Sequence, residues 1–124
     1  SMKTLTYGVV NTNTGGRDMT YAVDSTNGDR INILTDGLYS VFLQYASGSA
    51  CRTGASLNAT SLTTSLTSLG VAEVLMSMDT SSSLQAGSKT LRLYKGDIIR
   101  GHGDGCSALS TGAQVRLQVI KLGN

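Results

Sequence analysis

The residues able to do chemistry gather in one stretch, Arg100-Gly101-His102-Gly103-Asp104-Gly105-Cys106. It carries the single histidine and one of the two cysteines of the chain. A metal site would need three or four ligands converging at fixed geometry, and one His with one Cys among glycines does not provide that. The enzymatic version would pair Cys106 as nucleophile with His102 as base. No orienting group for the imidazole and no oxyanion-hole pattern accompanies them. The expectation is an ordinary loop over 101–112, with no catalytic residue, no metal and no cofactor. Asp18, Asp24, Asp29 and Asp36 lie in or beside turns but lack the D-x-D-x-D spacing of a calcium loop. Asn58-Ala59-Thr60 matches the glycosylation triplet, which is common by chance.

The elements that must position this stretch read as strands. Just before it, residues 89–102 (K-T-L-R-L-Y-K-G-D-I-I-R-G-H) have the pattern of a strand, a tight turn and a return strand, a plain β-hairpin. Leu91 and Leu93 alternate with polar residues at the period of two. Lys95-Gly96 occupies the turn, and the Asp97 carboxylate is placed to accept backbone N–H groups across it. Earlier strands are expected over 4–10, 19–23 and 30–34, the last two joined by Asn27-Gly28, the strongest short hairpin signal in the chain. Residues 38–46 are the most apolar strand. Tyr39, Val41, Leu43 and Tyr45 lie on one side, and Leu38, Ser40, Phe42 and Gln44 on the other. Two partly apolar faces imply burial on both sides, in so small a domain with another subunit as the cover.

Residues 47–69 are close to low complexity (T-S-L-T-T-S-L-T-S-L). One strand is expected near 50–57. Leu62, Leu66 and Leu69 are spaced for one helical face, but the intervening threonines favour extended chain. Strands at 71–78 and 114–122 follow, with 79–87 as a loop.

Length and composition agree with many short strands. The chain has 124 residues, fifteen glycines and no proline, which suits a single domain over 1–124. Ser1 before Met2 reads as a scar of tag removal. The formal net charge of +2 is too weak for a nucleic-acid footprint. With no tryptophan and one phenylalanine there is no base-stacking platform. No apolar run approaches the roughly 20 residues of a membrane span, and the first residues lack the apolar block of a signal peptide. Neither nucleic acid nor membrane insertion is expected.

Three pieces together resemble the trimeric jelly rolls of the tumour necrosis factor and complement globular-head superfamily. Gly37-Leu38-Tyr39-Ser40-Val41 is similar to its strand C. Leu91-x-Leu93-x-x-Gly96-Asp97-x-Ile99 is similar to the segment joining its strands F and G, and the apolar strand near the C-terminus to its strand H. The match covers about two thirds of the chain, whereas 47–69 does not match and the aromatic end of strand H is missing. The resemblance implies an all-β, two-sheet antiparallel jelly-roll sandwich assembled as a homotrimer. Strands C, F and H would form the inner sheet. With Leu91, Leu93, Val115, Leu117 and Val119 in the core, the opposite parity would meet the threefold axis: Leu38, Phe42, Arg92, Tyr94, Arg116, Gln118, Ile120 and Leu122. Arg92 and Arg116 would then need Glu73 or an aspartate of a neighbouring subunit, or a hydrated channel. The same topology places the start of strand D beside the end of strand G. A Cys51–Cys106 disulfide, worth about 4 kcal/mol in the chain-entropy model, and two free buried thiols stand as equal alternatives.

Similar heads cap bacteriophage fibres, bacterial surface filaments and animal secreted proteins, and this short chain with few aromatics is most similar to the phage or bacterial kind. The implied function is a non-enzymatic structural or attachment protein of a virion or extracellular surface. Its partners would be itself, other virion proteins, or a host-surface glycan or protein. The alternative is a small carbohydrate-binding lectin or adhesin, against which the lack of tryptophan counts.

Overall fold

The strand Gly37–Ala46 (β4) shows why the chain folds as two layers: Tyr39, Val41, Leu43 and Tyr45 are all fully buried, and the intervening residues are not. A strand with that alternation must lie on a second sheet. The structure, a computed structural model, describes residues 2–4, 17–24, 27–46, 51–62, 65–80, 84–104 and 116–124.

The other strands are β1 (Met2–Thr4), β2 (Met19–Ala22), β3 (Arg30–Ile33), β5 (Cys51–Leu57), β6 (Val74–Thr80), β7 (Leu84–Leu93), β8 (Ile98–Asp104) and β9 (Arg116–Gly123). They form a three-stranded sheet in the order β7-β4-β9 and a six-stranded sheet in the order β2-β3-β8-β5-β6, with β1 also pairing with β8. Every pairing is antiparallel. This is the expected jelly-roll sandwich. Met19, Ile31, Ile33, Tyr39, Val41, Ala55, Leu75, Leu93, Ile99 and Val119 fill the space between the sheets, with Leu91 and Leu117 packed against them. Of the strand expected over 4–10, residues 5–10 lie outside the described residues, as does Val115.

The segment 89–102 is not a hairpin. β7 pairs along its whole length with β4, and β8 pairs with β1, β3 and β5, so the tight turn carries the chain from one sheet to the other. Its local chemistry is as expected. Gly96 takes φ of +95°, where a side chain would be strained, and the Tyr94 N–H donates to Asp97 Oδ2 at 2.8 Å. The difference arises because β3 captures the turn: Gly96 N–H donates to the Ile33 carbonyl, and Ile33 N–H to the Asp97 carbonyl, each at 2.9 Å.

Three other boundaries shift. The loop expected over 79–87 is mostly strand, because β4 templates β7 as far back as Ala46 opposite Leu84. The strand expected over 71–78 opens instead with a 3₁₀ turn, Val71–Glu73. There the Glu73 carboxylate accepts N–H bonds from Gly70 at 2.8 Å and Thr60 at 2.7 Å, closing the turn before the strand starts. Of the loop expected over 101–112, residues 101–104 are strand: Gly101 and Gly103 are interior positions of β8, Gly101 paired with Ala55 of β5, and Gly103 with Thr53 of β5 on one edge and Lys3 of β1 on the other. Glycine disfavours a strand by entropy, but the ladder pairing outweighs that local preference. Residues 105–112 lie outside the described residues.

Candidate interaction surface

In an antiparallel sheet, residues paired across strands project to the same side. Leu38 pairs with Arg92, Ser40 with Thr90, Phe42 with Ser88 and Gln44 with Ala86 on β7. On the other edge Ser40 pairs with Ile120, Phe42 with Gln118 and Gln44 with Arg116, and a bulge at Leu38/Tyr39 brings Leu38 opposite Gly123. The core-facing parity of β4 is fully buried, so these residues form the outward face of the three-stranded sheet. Tyr94 stands one residue beyond β7, at the rim.

The expected set is therefore one surface. Leu38 is 38% exposed, Ile120 47%, Tyr94 53% and Leu122 55%. The only other large hydrophobics exposed among the described residues are Val23 and Val71. Phe42 is half-buried between Ser88 and Gln118. Arg92 and Arg116 sit at opposite ends, since their β4 partners Leu38 and Gln44 are six residues apart, roughly 20 Å of strand. Arg92 reaches the Asn124 carbonyl at 3.5 Å. Within the chain the Glu73 carboxylate accepts from Thr60 N–H and Gly70 N–H, which hold it below the usual carboxylate range.

The Arg100–Cys106 stretch has a different arrangement from the one expected. His102 and Ser56 are both fully buried and share a 2.6 Å hydrogen bond between Nε2 and Oγ. Ser56 escaped sequence reasoning because it lies 46 residues away. The one available signal was that β5 and β8 are neighbours in the resembled topology. A Ser–His bond is the first requirement of nucleophilic catalysis, but this pair offers no route to a substrate. The described residues of a strap, 58–62 and 65–73, lie beside it. Leu66 and Leu69 bury against Ala59 and Val74. A Cβ at Gly54, the neighbour of His102 on β5, would stand 2.3 Å from the Met76 carbonyl oxygen of β6 and 2.7 Å from Leu66 Cδ2, so no side chain fits between β5, β6 and Leu66 there. Asp104, the one carboxylate near His102, accepts instead from the Ser65 hydroxyl at 2.9 Å and the Leu66 N–H at 2.8 Å. Burial, with the Arg100 cation adding to it, pushes the His102 pKa down from 6.5 to about 4.

The remaining candidates have structural roles. Cys51 is disulfide-bonded; Cys106, the other cysteine of the chain, lies outside the described residues, and with it the Cys106–His102 pair that an enzymatic reading would need. Asn58 takes φ of +52°, donates its amide to Asp97 Oδ1 at 3.0 Å and accepts the Ile98 N–H at 2.7 Å, so the nitrogen a glycan would need is already engaged. Asp18 pairs with Thr35 at 2.7 Å and with Lys121 at 3.3 Å. Asp24 caps Asn27, Asp29 accepts from Tyr21, and Asp36 accepts from Lys95 N–H. Among the described residues no group of three or more His, Cys, Asp or Glu side chains is placed to hold a metal ion, and no helix is long and apolar enough to cross a membrane.

No family model and no curated protein sequence matches the chain. Solved structures do. Rabbit GITRL superposes with a TM-score of 0.61 at 15% identity, over 86% of this chain and 78% of that one. Pika GITRL gives 0.64 at 14% identity over 90% and 86%, and murine APRIL 0.58 at 18% identity over 87% and 77%. At these identities the likeness lies in the fold, which is the tumour necrosis factor-like jelly roll.

Proposed function

We propose that the chain is a non-enzymatic structural or attachment protein, a component of a virion or extracellular surface, that assembles as a homotrimer through the outward face of β7-β4-β9. One observation carries the assembly: the exposed large apolar residues Leu38, Ile120 and Leu122 share that face and Tyr94 rims it. Single exposed hydrophobics are ordinary, but a contiguous set on one flat sheet marks an association surface. A closed assembly of identical copies satisfies it without leaving a free apolar face, and the resemblance to trimeric heads selects three. Phe42 at the middle of the face is the anchor, of the aromatic kind that dominates association energies. The sealed Ser56–His102 pair supports the non-enzymatic reading.

Light scattering and sedimentation of the purified protein at micromolar concentration test the assembly: a mass of three chains is expected, and a stable monomer overturns it. The virion role is tested by the genes flanking this one. Capsid and tail genes are expected, and a setting of metabolic genes would sink that reading while leaving the trimer standing.

A further inference from the structure

The outward side of the larger sheet carries a pair of cations with too little to neutralise them. Ile31 of β3 pairs with Ile99 of β8, and both face the core. The next step along this register sets Arg30 beside Arg100 on the opposite, outward side. Across the neighbouring strands Arg30 pairs with Ala22 and Arg100 with Ser56, so one row reads Ala22, Arg30, Arg100, Ser56. Adjacent strands lie about 5 Å apart, which brings the two guanidinium groups into mutual reach.

Among the described residues their surroundings offer few acceptors. The Arg100 Nε is buried and without a hydrogen-bond partner. The Ser56 hydroxyl is committed to His102, and the Asn32 amide donates to Thr20. The carboxylate that faces the pair is Asp24, whose Oδ2 stands 4.0 Å from Arg30 Nη1 and also accepts from the Asn27 amide at 3.1 Å. Elsewhere on the same sheet an arginine is fully served: Arg52 meets Asp79 at 3.0 Å and Ser77 at 3.0 Å. A buried cationic donor without an acceptor is costly, and a second cation beside it raises that cost.

We propose that Arg30 and Arg100 form a binding site for a tetrahedral oxyanion, a sulfate or phosphate group. A tetrahedral anion presents acceptors to two guanidinium forks at once, whereas a carboxylate matches one. On the β5 side the row ends at the fully buried Ser56. Ala22 leaves the β2 side low, and the Arg30 side chain is 36% exposed there, so the anion enters from that edge. Burial and the neighbouring Arg30 disfavour the charge on Arg100 and Asp24 favours it, so a bound anion would offset the repulsion from Arg30. The site faces away from β7-β4-β9 and is independent of the proposed assembly.

The test is thermal unfolding of the full chain in sodium sulfate, in sodium phosphate and in glucosamine 6-sulfate, each against sodium chloride at matched ionic strength. The arginine Nε resonances are followed by NMR in the same titrations. A saturable rise in Tm with movement of two Nε signals is expected. Arg30→Gln and Arg100→Gln should weaken binding about tenfold or more, and Arg52→Gln should leave it unchanged. Tighter binding of glucosamine 6-sulfate than of inorganic sulfate assigns the group to a larger carrier; equal or weaker binding assigns the free anion, and either supports the site. A linear, non-saturating rise in the wild type overturns the proposal, as does an undiminished response in Arg30→Gln. Should Arg100→Gln fail to fold, the partly exposed Arg30 position still decides the matter.

Discussion

The Ser56 hydroxyl and His102 Nε2 lie 2.6 Å apart in a space closed to solvent, beside a strap that the sequence presents as a run of serine, threonine and leucine. The pair holds β5 to β8 and keeps the imidazole neutral, which gives the fold a built-in sensitivity to acid.

Stability should therefore fall as the pH drops from about 6.5 towards 4. His102 has a folded pKa of about 4 against 6.5 when exposed. Over that window the unfolded chain binds a proton that the folded chain does not, so stability rises with pH and is complete above about 6.5. The loss across the window is about 3 kcal/mol. Urea unfolding at several pH values checks this, and His102→Gln should flatten the slope.

Phe42→Asp should yield a folded monomer. Phe42 sits mid-strand between Ser88 and Gln118 on the outward face, so a carboxylate there leaves the inter-sheet core intact while placing charge at the proposed contact. Circular dichroism should stay β-like as the sedimenting mass falls to one chain. A trimer of unchanged stability would remove this face from the axis.

Asn58→Gly should destabilise the protein by about 2 kcal/mol and Asn58→Ala by about 3–4 kcal/mol. Both remove the side-chain bonds to Asp97 and Ile98, worth about 1 kcal/mol each. Only alanine adds the strain of a left-handed backbone at φ of +52°. Chemical denaturation of the two variants gives the difference directly, and equal losses would show that backbone strain plays no part.

Leu93→Ala should cost about 2–5 kcal/mol, the range of core truncations, because Leu93 is fully buried between the sheets. Leu117→Ala should cost less, since Leu117 only partly enters the core. A loss at Leu117 equal to that at Leu93 would mean that the smaller sheet is covered more deeply in solution, as a neighbouring subunit would cover it.

What could be read locally was read correctly where side-chain parity and turn chemistry settle the matter. The alternation of Tyr39, Val41, Leu43 and Tyr45 marks the buried side of β4. The Asn27-Gly28 turn joins β2 and β3, which pair as expected. Leu38, Phe42, Arg92, Arg116, Gln118 and Ile120 fall on one face because antiparallel pairing conserves parity across strands, whereas Leu122 lies at the bulge where the register shifts.

Choices between distant partners were settled only in three dimensions. A period of two and a glycine turn specify a reversal at Gly96, but the sheet that receives the returning strand depends on Ile33 being there to take the turn's hydrogen bonds. Gly101 looks like a loop residue until β5 pairs with it, and Gly103 until β1 and β5 pair with it on both sides. Residues 58–73 have no periodicity strong enough to choose a conformation. Asp104 and Glu73, with acceptors for Leu66 and for Thr60 and Gly70, hold them as the strap. Local pattern encodes which side of a strand is apolar; long-range hydrogen bonding decides which strand lies beside it, and so brings Ser56 to His102 and Arg30 to Arg100.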